Sequence, residues 1–356
     1  MINNKTCTRC VNDRTIKNIK FDKNGVCNFC KTYDEYAARL HDYENLEKLF
    51  LKKVNNVDGD FDYDVAVGFS GGKDSTYVLY KLVKVYKLKC IAYTLDNGFL
   101  SKEARDKIDQ IVKELNVEHE YVTCDMELLK KSYKYIVNKY LSPCIACSFL
   151  GYASMINYAS KVNARVGIHG RSIYQMLRNF SNDTDDVFKP FILSGLEDTV
   201  DLDKLFNDII TKIDFLVDKK LADEIKSKLL NDAFKNGYRD FIPYFLYHPY
   251  NKDEIIHFLK QNTSWSPKKD AEHFDCLIHN GALYLKDLTA RRGHLMPEYS
   301  VMIREGALTK AEAYKELKHK TNPDVAKKEL KMLCNYANIN YTKIMFKAKI
   351  YNKRWW

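Results

Sequence analysis

The stretch that most restricts the fold is Asp64–Leu82, D-V-A-V-G-F-S-G-G-K-D-S-T-Y-V-L-Y-K-L. Apolar Val65–Phe69 predicts a strand, and Thr76–Tyr86 predicts a helix that turns Val78, Leu79, Leu82, Val83 and Tyr86 inward. Ser70, Gly71, Gly72, Lys73, Asp74 and Ser75 form the junction. A Walker loop needs G-x-x-x-x-G-K-[ST]. Gly68–Lys73 is one residue short of that spacing, and Asp74 follows the lysine. Glycines still let backbone N–H groups converge on an anion, and the helix start adds its partial positive charge. Ser70 and Ser75 can donate to phosphate oxygens, Lys73 can neutralise them, and Asp74 can hold Mg²⁺. A plain capped turn needs neither two glycines nor the lysine.

The same strand-to-helix alternation continues. Lys89–Asp96 predicts a second strand, and Ser101 caps a helix through Leu115 with Glu103 in its first turn. His119–Asp125 predicts a third strand, Met155–Val162 a helix, Ala164–Gly170 a fourth strand, Phe241–Tyr247 a fifth, and Lys252–Lys260 a helix. This pattern predicts an α/β fold with a doubly wound parallel five-stranded sheet, whose ligands sit at the carboxyl ends of the strands. Before it, Asp34–Lys53 predicts one helix, and Asn55–Asp64 a polar linker. Between strands four and five, about 178–239, runs an amphipathic helical insertion of the kind that often walls a substrate pocket. Arg304–Cys334 predicts two further helices. Three units are expected: 1–58, a zinc ribbon and linking helix; 59–262, the nucleotide domain; and 263–356, a C-terminal helical region.

The net charge of +10 leans toward anionic partners, but the excess is spread along the chain. No run approaches the ~18 apolar residues of a membrane span. The start, Met1-Ile2-Asn3-Asn4-Lys5, does not read as a signal peptide, so a cytoplasmic protein without membrane contact is expected. Six of the ten cysteines lie in C-x-x-C pairs, which in that setting indicates metal or redox chemistry. Cys7, Cys10, Cys27 and Cys30 give C-x2-C-x16-C-x2-C, spacing suited to four thiolates around tetrahedral Zn²⁺. Gly25 suits the knuckle turn before the second pair. The pair Cys144/Cys147 stands open between a redox pair, half of a metal site and buried thiols without chemistry.

S-G-G-x-D-S after a first strand resembles the PP-loop ATP pyrophosphatases, of the adenine nucleotide alpha hydrolase-like fold. The resemblance implies ATP and Mg²⁺, with Lys73, Asp74 and Ser75 catalytic and Ser70–Ser75 holding pyrophosphate. It implies adenine and ribose contacts in "LDNGF", at Asp96 and Gly98, and a phosphate-proximal Gly-His element in "GIHG", at His169 and Gly170. "PYFLYHPYNKDEI" resembles the family's last strand and helix. The opening "CTRCVND…FDKNGVCNFC", the length, and the tail pattern S-x-x-I-R-x-G-x-L-T-x-x-E-A are similar to those of the N-acetyl sugar amidotransferases. Ser300, Ile303, Arg304, Gly306, Leu308, Thr309, Glu312 and Ala313 fill that tail pattern, which a Lys/Arg-Gly stretch precedes.

This second resemblance implies conversion of an acetamido group on a bacterial sugar, nucleotide-linked or a nonulosonic acid precursor, to acetamidino through an adenylated intermediate, with release of AMP and pyrophosphate. The product would serve lipopolysaccharide-type surface polysaccharide or flagellin glycosylation. His169, Arg171 and Arg304 are candidate contacts to phosphate or sugar. Residue 2 is isoleucine and no glutaminase motif is present, so ammonia is expected free or from a separate glutaminase subunit. The competing expectation is a tRNA-thiolating PP-loop enzyme, in which Cys144, Cys147 and Cys276 would hold an iron–sulfur cluster. No added RNA-binding module is found, so nucleic acid is not an expected partner.

Overall fold

Strand β1 (Tyr63–Gly68) buries Val65, Ala66 and Val67 completely, as a central strand covered on both faces must. In the computed structural model it pairs in parallel with β2 (Cys90–Asp96) and β4 (Ala164–His169). β3 (Glu118–Thr123) and β5 (Phe241–Pro243) close the two edges, giving the order β3-β2-β1-β4-β5. All four pairings are parallel, which establishes the expected fold class. The chain builds outward from β1 to β3 on one side, then returns to β4 and β5 on the other. A crevice therefore opens between the carboxyl ends of β1 and β4, where ligands of open α/β sheets bind.

The structure describes residues 6–55, 59–123, 125–184, 186, 188–267, 276–289, 295–318 and 321–353. Cys124 and the Arg291-Arg292-Gly293 stretch, both part of the sequence expectations, lie outside the described residues. Among the described residues no helix is long and apolar enough to cross a membrane.

Several helices differ from expectation. The single helix predicted over Asp34–Lys53 is two, α1 (Asn28–Leu40) and α2 (Tyr43–Asn55). The Asp42 carboxylate accepts from the backbone N–H of Asn45 at 3.4 Å and starts a new helix there. Helix α3 (Lys73–Tyr80) begins three residues earlier than predicted, so Lys73, Asp74 and Ser75 stand in its first turn. Helix α4 (Lys102–Leu115) is capped as expected, with the Ser101 hydroxyl accepting from Ala104 N–H. Helix α5 (Met126–Tyr140) was not anticipated, and Met155–Val162 is only the end of a 19-residue helix, α6 (Pro143–Lys161). The short α7 (Ile173–Leu177) follows β4.

The segment between β4 and β5 carries α8 (Lys189–Gly195), α9 (Leu202–Leu216), α10 (Lys219–Leu229) and α11 (Asn231–Asn236). Helices α10 and α11 pack on α6, and α8 packs on β5, through Leu221, Ala222, Ile225 and Phe191 among others. Its first part reaches the residues just past β4 through Phe188, which lies under Arg171. The fifth strand ends at Pro243, and the rest of its apolar run turns helical as α12 (Tyr244–Tyr247), followed by α13 (Lys252–Asn262). Further along lie α14 (His279–Thr289), α15 (Met296–Arg304), α16 (Lys310–Glu316), α17 (Pro323–Tyr336) and α18 (Tyr341–Lys353). Thr309 and Glu312 form a reciprocal capping box at α16.

Candidate functional site

Register places Gly68 opposite His169, so the ends of β1 and β4 lie side by side at the crevice. The loop that leaves β1 is stapled to itself. Ser75 Oγ accepts from Ser70 N–H and donates to Gly72 O, each at 3.2 Å, and Ser70 Oγ accepts from Gly72 N–H at 3.4 Å. Gly71 has φ +73°, and a Cβ there would meet Ile108 Cγ1 at 2.8 Å, so both backbone and space demand glycine. The buried Trp265 indole N–H donates to Gly71 O at 3.2 Å and pins the turn from outside. Gly170, just past β4, lies so close that a Cβ would stand 3.1 Å from Asp74 O and from Ser75 Cα.

The α3 start has Gly72 as N-cap and no capping side chain. Its first-turn N–H groups and the Ser70 hydroxyl form a donor cradle suited to an anion, which the Ser75 hydroxyl joins by exchanging its bond to Gly72 O for one to the ligand. Lys73 Nζ contacts Asp74 Oδ2 at 2.8 Å and lies over the Tyr250 ring at 5.9 Å. The other Asp74 oxygen, Oδ1, is buried and accepts no hydrogen bond of normal geometry, although the Tyr250 hydroxyl lies near enough to interact with the carboxylate. A buried carboxylate oxygen without a well-made hydrogen bond is a costly arrangement, and a divalent cation is a group that satisfies it. Burial, and next the nearby Asp74 charge, push the Tyr250 hydroxyl well above the usual phenol range, so it stays protonated.

His169 is 4% exposed, and its Nδ1 accepts from Arg171 N–H at 3.2 Å. Burial, reinforced by Arg171, lowers its pKa to about 3. It is therefore neutral at physiological pH and shapes the Gly170–Arg171 turn rather than carrying a charge to phosphate. Asp96 pairs with Arg105 and accepts from Gly98 N–H at 3.0 Å. Gly98 has φ +80°, and a Cβ there would meet the Tyr336 hydroxyl at 2.8 Å. The Asp96-Gly98 turn is thus covered by α17.

The Cys7, Cys10, Cys27 and Cys30 sulfurs lie within 4.8 Å of one another, all buried, and form a metal-sized group. Cys7 Sγ is 4.0 Å from Cys30 Sγ, and Cys10 Sγ is 3.8 Å from Cys27 Sγ. Four thiolates packed this closely repel one another, so the group calls for a cation. The structure places Arg304 here rather than at the nucleotide loop. It is 9% exposed, its Nη1 donates to Cys30 Sγ at 3.6 Å, and it lies over the Tyr33 ring at 5.7 Å. Ser300 Oγ donates to Asn12 Oδ1 at 2.9 Å, and Lys310 Nζ donates to Cys7 O at 2.7 Å. The N-terminal and C-terminal motifs, almost 300 residues apart in sequence, form one unit in which the Arg304 guanidinium faces a sulfur and Lys310 holds the Cys7 carbonyl.

Cys144 and Cys147 stand in the first turns of α6, partly buried. The Asn97 amide donates toward Cys147 Sγ at 3.5 Å and Cys276 Sγ at 4.0 Å. Leu277 N–H donates to Phe99 O, which fixes Cys276 beside the β2 exit loop. Among the described residues these three sulfurs do not close into a group as tight as the N-terminal four. Trp265, Tyr250, Asn97 and Arg178 were not anticipated. Tyr250 sits in a quoted motif, while Trp265 carried no local signal.

No family model matches the chain. One uncharacterized protein of Methanocaldococcus jannaschii is 29% identical over 149 residues, 40% of this chain and 50% of that protein. A second from the same organism is 27% identical over 133 residues, 36% of this chain and 50% of that protein. The chain thus spans about half the length of the curated relatives it matches. Among solved structures, the U34-tRNA thiolase NcsA of Methanococcus maripaludis, with its [4Fe-4S] cluster, is similar at 19% identity and TM-score 0.37 over 88% of this chain and 89% of that one. The NH3-dependent NAD synthetase of Campylobacter jejuni is similar at 16% identity and TM-score 0.33, over 55% of this chain and 96% of its own. The NMN synthetase of Francisella tularensis is similar at 16% identity and TM-score 0.30, over 67% and 98%.

Proposed function

We propose that this protein is an ATP-dependent amidotransferase that converts an acetamido group on a sugar to acetamidino, releasing AMP and pyrophosphate. The observation that carries the ATP half is the loop itself: an uncapped helix start, two hydroxyls, Lys73 and the buried Asp74 Oδ1 at the β1/β4 crevice. Ser70, Ser75, Lys73 and the first-turn N–H groups would hold the pyrophosphate portion. Mg²⁺ at Asp74 would neutralise the charge that develops there. The substrate amide oxygen attacks the α-phosphorus, and the bond to the bridging oxygen breaks as pyrophosphate leaves. Ammonia then adds to the imidate carbon, and AMP departs with the former amide oxygen. The loop's fixed dipoles favour the leaving charge without reorganising during the reaction.

The sugar half rests on the resemblance of the N- and C-terminal motifs. Their contact through Ser300–Asn12, Arg304–Cys30 and Lys310–Cys7 supports reading them as one inherited unit. We take the metal of that unit to be zinc. A regular tetrahedron with Zn–S near 2.3 Å has sulfur edges of about 3.8 Å, and the two closest pairs lie at 3.8 and 4.0 Å. Ammonia would come from a separate glutaminase or from solution.

Cys147 and Cys276 about one Asn97 amide, with Cys144 one turn away, favour a second reading: a tRNA-thiolating enzyme with an iron–sulfur cluster. One assay separates the two. AMP formation by the full chain should depend on Mg²⁺, ammonia and an acetamido sugar, and Asp74→Asn should abolish it with an unchanged circular dichroism spectrum. AMP formation that instead needs tRNA and a sulfur donor, with iron and sulfide retained after anaerobic purification, would replace the first reading by the second.

A further inference from the structure

Next to Gly170, where β4 meets Tyr152 of α6, lies a cluster whose side chains the nucleotide site described above does not use. The Arg171 guanidinium rests on two ring faces, 5.2 Å from the Tyr152 centroid and 5.4 Å from that of Phe188. These faces fix its position without neutralising it. Tyr152 is 4% exposed, and its hydroxyl is buried without a hydrogen-bond partner. Arg178, at the end of α7, has its Nε buried without a partner as well. The charges of Arg171, Arg178 and Asp186 all act on the Tyr152 hydroxyl. His169 beside them is neutral, so among the described residues two cations and one carboxylate act on this hydroxyl, leaving a positive balance there. Unsatisfied buried donors with surplus positive charge are what an oxyanion ligand completes.

We propose that Arg171, Arg178 and the Tyr152 hydroxyl form an anion subsite, distinct from the ATP phosphate cradle, that takes a carboxylate or phosphate carried by the substrate undergoing adenylation. The inference rests on the proposed function above for calling that substrate a sugar. ATP has its own donors in Ser70, Lys73, Ser75 and the α3 start, whereas Arg171 and Arg178 are grouped about Tyr152 and Phe188. The Arg171–Arg178 charge is therefore left for the second substrate. A neutral acetamido sugar has no group that would use it.

The test is direct binding by calorimetry to the full chain, saturated with a non-hydrolysable ATP analogue. N-acetylneuraminate supplies a carboxylate, N-acetylglucosamine 1-phosphate a phosphate, and N-acetylglucosamine neither. One of the two anionic probes should bind at least about tenfold tighter than the neutral one, which identifies the source of the charge. Arg171→Gln and Arg178→Gln should each remove most of that preference, Arg171→Lys should retain part of it, and affinity for the ATP analogue should change less than about twofold. Absence of an anion preference overturns the subsite, as does equal weakening of the ATP analogue in the variants, which would assign the arginines to ATP. If the preference holds but no sugar elicits AMP, the sugar reading falls and the anion subsite stands. If AMP forms without the preference, the reverse holds.

Discussion

Replacing Gly170 by alanine tests how tightly the nucleotide loop is braced by the neighbouring strand. The added Cβ would lie 3.1 Å from Asp74 O, 3.1 Å from Ser75 Cα and 3.2 Å from Asp74 C, so those atoms must give by a few tenths of an ångström. All three are backbone atoms of the first turn of α3, which the Ser70–Ser75 staple and the Trp265–Gly71 bond hold in place. Overpacking of this kind costs about 1–3 kcal/mol, and the stiffer unfolded chain returns about 0.4–1 kcal/mol of it. A net loss of about 1–2 kcal/mol should lower Tm by roughly 1–3 °C for a chain of this length. The effect on turnover should be larger than that suggests. If a 1 Å misplacement costs about 10²-fold, a shift of a few tenths costs about 4- to 10-fold in AMP formation. The assay is AMP release against differential scanning fluorimetry, with Gly72→Ala as reference. At Gly72 the nearest atom to a Cβ is Ser70 Oγ at 3.4 Å, an ordinary contact, so Tm should hold and any lost activity reports ligand approach. Wild-type turnover and ATP affinity in Gly170→Ala would refute the idea that β4 braces the loop.

Removing the N-terminal metal with a chelator, or one ligand with Cys7→Ser, should release metal and raise hydrogen exchange in Met296–Glu316, because Ser300, Arg304 and Lys310 are anchored on the knuckle. A metal-loaded Cys7→Ser protein with unchanged exchange there would remove the coupling. Acid should destabilise the fold early. His169 and His248 have pKa values lowered to about 3 and about 4, chiefly by burial. The unfolded chain therefore binds protons first, and stability present above about 6.5 declines as pH falls toward those values. The urea midpoint should drop between pH 6.5 and 4.5 with a shallower slope in His248→Gln, and a flat profile would count against neutral buried imidazoles. Thr309→Ala removes one half of the α16 capping box and should cost about 1 kcal/mol by urea unfolding. A loss under a few tenths would show that Lys310 alone seats α16.

Much of the site was legible because its signals are local. The alternation of apolar runs specifies β1, β2, β3 and β4, since a strand and its flanking helix are encoded at spacings of two and of three to four residues. S-G-G-K-D-S names a strand-to-helix turn whose first α3 residues carry the polar groups, and the cysteine spacing names a four-sulfur knuckle. Boundaries were less legible. Pro243 ends β5 early, and Asp42 starts a helix where periodicity ran on, because one cap or one missing N–H outweighs the pattern around it.

The sequence by itself determined the kinds of parts: parallel strands, an anion-binding turn, a cysteine cluster and capped helices. Only the tertiary structure decided which parts meet. It set β1 beside β4 and so placed Gly170 against the loop, seated Trp265 on Gly71, committed Arg304 to Cys30, and stacked Arg171 on Tyr152 and Phe188. Each of these contacts depends on sheet order, strand register and the packing of distant layers. Those are set by burying the whole core at once, and no spacing within a short window records them.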